Sequence, residues 1–216
     1  MRVDFVNTTS LLTEDQRDCL QETINVAMGQ AGDALARILN VFINLSVPMI
    51  RSVDRHNLNA VLQEFVGHKH TYVSAVRQGF YSAEGAHGLR GECMVLFNDA
   101  SYRELAELMA YEGDLVERVD RELLLDAANI LCGACLNGIA KQLDESLTYT
   151  PPNLLGCDLK PEKIIDLSQV NWDQILLIAI NYRLEHRQFN CTMMLMLPPN
   201  AIATLISHLD RILEAL

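Results

Sequence analysis

Two groups of residues in this chain have types and spacing suited to handling a water molecule and a charged partner. The first is Asp18, Glu22, Asn25 and Gly29, followed by Pro48; the second is Glu122, Asp126, Asn129 and Gly133, followed by Pro152. At about 100° per residue on an α-helix, the first three members of either group fall within a stripe roughly 60° wide. A carboxylate and an amide then point the same way. A carboxamide offers a hydrogen-bond donor and an acceptor without ionising, so it can hold water by one group and its target by the other. That is an orienting role, comparable to the glutamine that places the attacking water in GTPases. The carboxylate one turn earlier could pair with a cation on the molecule that carries the substrate. No nucleophile is required of this chain, and no Ser–His or Cys–His arrangement suggests itself. An exposed face of Glu, Asp and Asn also describes an ordinary solvated face, and a duplicated segment would copy such a face along with the rest.

The elements that must position these residues follow from the surrounding pattern. Thr13 with Gln16 three residues later makes a capping box, predicting a helix from Glu14 to about Leu39. The face opposite its stripe carries Leu20, Ile24, Ala27, Ala31 and Leu35. A second helix, predicted from about Arg121 to Leu143, carries Leu124, Ala128, Leu131, Cys135 and Ile139, each 104 residues on (124 less 20). Asn25 and Asn129 share that offset, as do Pro48 and Pro152. Gly29 shares the face of Asn25, where a missing side chain would admit another backbone, while Gly32 reads as helix-to-sheet packing.

Between the helices, Val41 to Val53 reads as an edge strand containing Pro48, and Asn57 to Phe65 as a short helix. Strands are predicted at Thr71–Phe80 and Gly91–Phe97, joined by the loop Tyr81 to Arg90. A helix follows from Asn98 to Ala110, capped by Asn98 or Asp99. Residues 112–117 form a connector. The order then repeats, with an extended passage from Pro151, a helical turn at Pro161–Ile165, strands at Gln174–Glu185 and Phe189–Leu197, and a closing helix from Asn200 to Leu213. Setting Cys93 against Cys191 aligns the later strands at an offset of 98, the shorter second hairpin accounting for the difference. The expectation is an α/β fold built from an internally duplicated helix–three-strand–helix unit. Its two units would be related by a pseudo-twofold, with one continuous, mainly antiparallel sheet covered by helices. Residues 1–216 would form a single domain of two tandem repeats, about 11–112 and 118–216.

Composition bounds the function. The 216 residues are half hydrophobic and 21% charged, enough apolar material for a substantial core and too few charges for extensive disorder. A net charge of −11 and the lack of a basic cluster weigh against a nucleic-acid partner. The longest apolar run, Ile175–Ile180, is a strand's length rather than a membrane span, and Met1–Asn7 has no signal-peptide core. A cytoplasmic protein with reduced thiols is expected, its six cysteines including one CxxC spacing, Cys132 to Cys135. Cys135 falls on the apolar stripe, so both are read as small buried residues rather than as a redox or metal pair. His68 and His70 could share a strand face as metal ligands, but no third ligand is in view.

In these residues the chain resembles the CheC/CheX/FliY family of chemotaxis phosphatases, whose signature is Asp or Ser, a Glu four residues on, an Asn three beyond and a later Pro. Asp18, Glu22, Asn25 and Pro48 match all four positions, and the runs from Asn25 (NVAMGQAGDALA) and Asn129 (NILCGACLNGIA) are similar to the family's helices. Two copies in one chain point to the CheC branch. The resemblance implies hydrolysis of the aspartyl-phosphate on a CheY-like response-regulator receiver domain. Glu22 would pair with the regulator's lysine, Asn25 would orient the water, and Mg²⁺ would belong to the receiver rather than to this chain. The second copy departs from the signature, with Glu122 at the Asp/Ser position and Asp126 at the Glu position. Aspartate is one methylene shorter, a reach reduced by about 1.5 Å, so two sites of unequal strength are expected, Glu22–Asn25 dominant over Asp126–Asn129. Asp18, Gly29, Glu122 and Gly133 would contact the partner. A CheD-like deamidase is a further partner that the resemblance suggests. The competing expectation is a noncatalytic, regulator-binding scaffold, as in the middle domain of flagellar switch proteins.

Overall fold

The computed structural model describes residues 11–39, 41–66, 72–82, 88–98, 101–108, 117–165, 172–185 and 189–215. His68, His70, Asp99, residues 112–116 of the predicted connector and the side chains of Ala31 and Leu35 lie outside the described residues.

The first helix, α1 (Glu14–Leu39), starts where its capping box places it. Gln16 N donates to Thr13 Oγ1 (3.2 Å) and Thr13 N to Gln16 Oε1 (3.0 Å), so two donors at the helix start are satisfied reciprocally. The strand predicted at Val41–Val53 is broken by Pro48 into β1 (Ile43–Leu45) and β2 (Met49–Asp54). A 3-10 turn (Arg55–Asn57) and α2 (Leu58–Val66) follow, then β3 (Val73–Ser82), β4 (Arg90–Asn98) and α3 (Ser101–Leu108). The second half opens with α4 (Glu117–Gln142), four residues earlier than the periodicity suggested. Next come β5 (Leu147–Tyr149) and β6 (Asn153–Leu159), separated by Pro151 and Pro152. β5 precedes the prolines, where no strand was expected, because a three-residue strand carries too little alternation to register. A 3-10 turn (Pro161–Lys163), β7 (Gln174–Leu184), β8 (Asn190–Leu197) and α5 (Pro199–Glu214) complete the chain.

All strands join one antiparallel sheet. Its order is β1-β7-β8-β4-β3-β5, with β2 continuing β1 along β7 and β6 continuing β5 along β3. The order reads the same from either edge once each strand is exchanged for its counterpart. Each half lends its proline-broken strand to the other half's hairpin, and β4 and β8 meet at the centre. Helices α5, α1, α4 and α3 lie side by side on one sheet face, and α2 with the second 3-10 turn covers the other. The predicted apolar faces lie inward: Leu20, Ile24 and Ala27 on α1, and Leu124, Ala128, Leu131, Cys135 and Ile139 on α4. Residues Arg121–Gln142 are apolar enough to cross a membrane by composition, yet here they form the core helix. Burial against α1 and the sheet accounts for that composition.

Register refines the sequence alignment. Ile43 pairs with Leu184, whereas Leu147, 104 residues beyond Ile43, pairs with Ser82. Ser82 therefore corresponds to Leu184, an offset of 102 (184 less 82), and through the β3–β4 and β7–β8 ladders Cys93 corresponds to Met193 rather than to Cys191. Both alignments keep inward residues inward, because they differ by two, one full strand period.

Helices α1 and α4 run antiparallel and touch closely. A Cβ built on Gly138 would stand 2.8 Å from the carbonyl oxygen of Ala27, whereas one on Gly133 meets nothing within 4 Å. Gly138→Val is expected to lower stability by about 1–3 kcal/mol through overpacking, and Gly133→Ala to raise it by up to about 1 kcal/mol through helix propensity. Denaturant midpoints of the two variants check the pair; equal effects would contradict the packing described.

Candidate functional site

With Leu20, Ile24 and Ala27 packed against the sheet, helical geometry turns Asp18, Glu22, Asn25 and Gly29 to the outside, and all four are exposed. The side chains of Glu22 and Asn25 make no hydrogen bond or ion pair with the described residues. Gly29 has nothing within 4 Å of a would-be Cβ, so the helix surface beside Asn25 is open. Gly32, in contrast, lies against Leu45 of β1, whose Cδ1 would stand 2.9 Å from a Cβ added there, the sheet packing expected of it. On α4, Glu122, Asp126 and Asn129 are exposed and Gly133 half-buried. The antiparallel packing is marked by Ala27 beside Gly138 and by Cys135 Sγ donating to Met28 Sδ at 3.1 Å. It places the two stripes on neighbouring helices of one layer, displaced in opposite directions from the crossing.

Beside the first stripe runs a groove of ≈ 530 Å³ that has no local sequence pattern. Asp15, Asp18, Glu22, Thr23 and Val26 form its α1 wall; Gln142 at the end of α4 and Ile212 and Leu213 near the end of α5 close the other side. Gln16 Nε2 donates to Asp210 Oδ1 (2.8 Å) and ties the start of α1 to α5. Three carboxylates, Asp15, Asp18 and Glu22, give the groove a potential that favours a cation. Its apolar floor suits the stem of a long basic side chain.

The two stripes differ beneath their asparagines. Asn129 Oδ1 accepts a hydrogen bond from Nε2 of Gln78 on β3 (3.1 Å), and Gln78 is buried. At the corresponding place in the other half, 102 residues on, stands Ile180, wholly buried and apolar. Among the described residues, Asn25 thus has no polar support from the sheet. Gln78 was not among the sequence candidates; its signal was a polar side chain at an inward position between Val76 and Phe80. The prolines of the signature, Pro48 and Pro152, lie at the strand breaks rather than at the stripes.

Cys132 and Cys135 are buried in α4 with Cys93 and Cys191 nearby, and all six cysteines are free thiols. Cys132 Sγ stands 2.7 Å from Cys93 Sγ. Burial pushes the Cys93, Cys135 and Cys191 thiols well above the usual thiol range. A raised thiol pKa means little thiolate at neutral pH and a slow nucleophile. Among the described residues no group of three His, Cys, Asp or Glu side chains could hold a metal ion.

No protein-family model matches the chain, and no curated protein matches it in sequence. Solved structures do. FliY of Thermotoga maritima superposes with a TM-score of 0.68 at 16% identity, over 94% of this chain and 99% of that one. The FliM middle domain of H. pylori gives 0.59 at 7% identity, over 91% and 99%. A CheX-CheY-BeF3-Mg+2 complex from Borrelia burgdorferi gives 0.50 at 12% identity, over 82% and 98%. The chain has the fold of these chemotaxis and flagellar proteins, in keeping with the CheC/CheX/FliY resemblance of its helices.

The burial of the thiols makes a direct prediction. Titration of the native protein with an aromatic disulfide reagent at neutral pH should modify Cys19 and Cys157, the two partly exposed thiols, quickly. Cys93, Cys132, Cys135 and Cys191 should react only at the rate of unfolding. Prompt reaction of Cys132 or Cys135 would reopen the redox reading of the CxxC spacing.

Proposed function

We propose that this protein is a phosphatase for the aspartyl-phosphate of a CheY-like response-regulator receiver domain, acting in the cytoplasm. The observation that carries the reading is the pairing on α1 of an exposed, unbonded Glu22 with an exposed, unbonded Asn25, next to an acidic groove and an open glycine. The likeness to a CheX found in complex with CheY supports a receiver as the partner. Glu22 pairs with the receiver's lysine and fixes the docking register. Asn25 holds a water in line with the phosphorus–oxygen bond of the phospho-aspartate. Water oxygen bonds to phosphorus, the aspartyl carboxylate leaves with the bond's electron pair, and the water proton passes to the departing phosphate. Mg²⁺ belongs to the receiver in this reading and supplies charge neutralisation there. The demand on the phosphatase is modest, since a 100-fold acceleration corresponds to about 2.7 kcal/mol, within the range of positioning alone.

The α4 stripe is a second, weaker site in the same reading, with Asp126 pairing across a longer gap and Asn129 orienting the water. Asp18, Gly29, Glu122 and Gly133 form the surrounding contact surface. We extend the partners to a CheD-like deamidase on the sequence resemblance. We also propose that the halves, about 11–112 and 118–216, arose by duplication, a reading supported by the palindromic strand order. A regulator-binding scaffold is the alternative, favoured by the likeness to the FliM middle domain and by the exposed Phe42, Val47 and Met49 along the β1–β2 edge.

Loss of phospho-aspartate from a panel of phosphorylated receivers tests the reading. The protein should accelerate it, Asn25→Ala should remove most of the acceleration, and Asn25→Ala with Asn129→Ala should return the spontaneous rate. Glu22→Gln should raise KM with little change in kcat, and added salt should raise the KM of the unsubstituted protein in the same sense. Tight binding of a receiver without acceleration would favour the scaffold.

A further inference from the structure

Gln78 occupies a place where packing alone calls for an aliphatic residue. It is 3% exposed, on the sheet face beneath α4, between the buried Val76 and Phe80. Its Nε2 donates twice, to the main-chain oxygen of Thr150 (2.9 Å) and to Asn129 Oδ1 (3.1 Å), while its own Oε1 is buried without a partner. An unpaired buried carbonyl costs free energy that an isoleucine here, like Ile180 in the other half, would not incur.

The hydrogen bonds form a chain of constraint that starts at a fixed point. Thr150 is clamped to β3: its N donates to Gly79 O (2.9 Å), and its Oγ1 accepts from Gly79 N (2.9 Å). A main-chain oxygen can only accept, so the end of the Gln78 amide beside Thr150 must be the NH₂ group. That group has a second hydrogen, aimed at α4. Asn129 meets a donor from below and must present its oxygen inward, which turns Nδ2 toward the exposed surface. Neither orientation of the Asn25 amide is selected in this way, because Ile180 offers it nothing.

We propose that Gln78 is the positioning residue of the second site, holding the Asn129 carboxamide in one orientation with Nδ2 facing the docked receiver. This rests on the phosphatase reading of the α4 stripe. The amide rotation that Asn25 must give up on docking is already given up by Asn129 in the free protein. The shorter Asp126 weakens capture of the receiver, while the oriented amide sustains the chemical step. The second site therefore differs from the first in KM more than in kcat.

The test is made in Asn25→Ala, which leaves the second site alone. Adding Gln78→Met, similar in length but without a donor, should lower kcat about tenfold with KM within about twofold, thermal midpoints being followed alongside. Unchanged kcat, or a loss carried mainly by KM, overturns the assignment. Should the variant fail to fold, NMR of the unsubstituted protein decides the geometry. Couplings across hydrogen bonds from Gln78 Nε2 to Asn129 Cγ and to the Thr150 carbonyl carbon are expected, and their absence overturns the assignment by itself. If neither the unsubstituted protein nor Asn25→Ala accelerates any receiver, the phosphatase reading fails and the catalytic consequence of Gln78 with it. The NMR couplings would still report the held amide.

Discussion

The close antiparallel packing of α1 on α4 is the constraint from which the exposed stripes follow. Gly138 lets the helix backbones meet at Ala27, and the two apolar faces are then committed to one side of the sheet. A helix with one face against the sheet and a flank against its neighbour has only its remaining face for solvent. On both helices that face is the stripe of carboxylates, an asparagine and a glycine. The stripes are the backs of core helices, so the packing beneath them fixes where their side chains start.

The sheet makes the two halves interdependent. Among the described residues, β1 and β2 pair only with β7 of the other half, and β5 and β6 only with β3, so neither half completes its share of the sheet alone. The prolines lie where these exchanged strands break. In the second half the break brings Thr150 over Gln78, and a main-chain oxygen thereby reaches the Asn129 amide through one side chain. Beside the first half's break, the place equivalent to Gln78 is taken by Ile180 of β7. A symmetric framework thus carries two chemically different stripes, one with the longer carboxylate and a free amide, the other with the shorter carboxylate and a held one.

Much of this was legible in the sequence for identifiable reasons. The capping box at Thr13 and Gln16 marked the start of α1, and a 3.6-residue period over 26 residues marked both long helices and their outward stripes. The long strands β3, β4, β7 and β8 announced themselves as apolar, β-branched runs between turn residues. What stayed hidden depends on contacts between distant segments. The exchange of β1 and β5 between halves, the two-residue shift in register, the groove closed by the ends of α4 and α5, and the bond from Gln78 to Asn129 have no local pattern. Gln78 came nearest to being visible, as an amide at an inward strand position. Such a residue is a place to ask which neighbour it serves.

Hydrogen exchange addresses the central claim, that the exposed face of α1 receives the phosphorylated partner. Backbone exchange would be compared with and without a receiver held in its active form by beryllofluoride and Mg²⁺. Slowed exchange is expected in the stretch from Asp15 to Gly29, weaker slowing around Asp126 to Gly133, and little change on α2 across the sheet. Protection confined to the β1–β2 edge, with α1 unchanged, would contradict it.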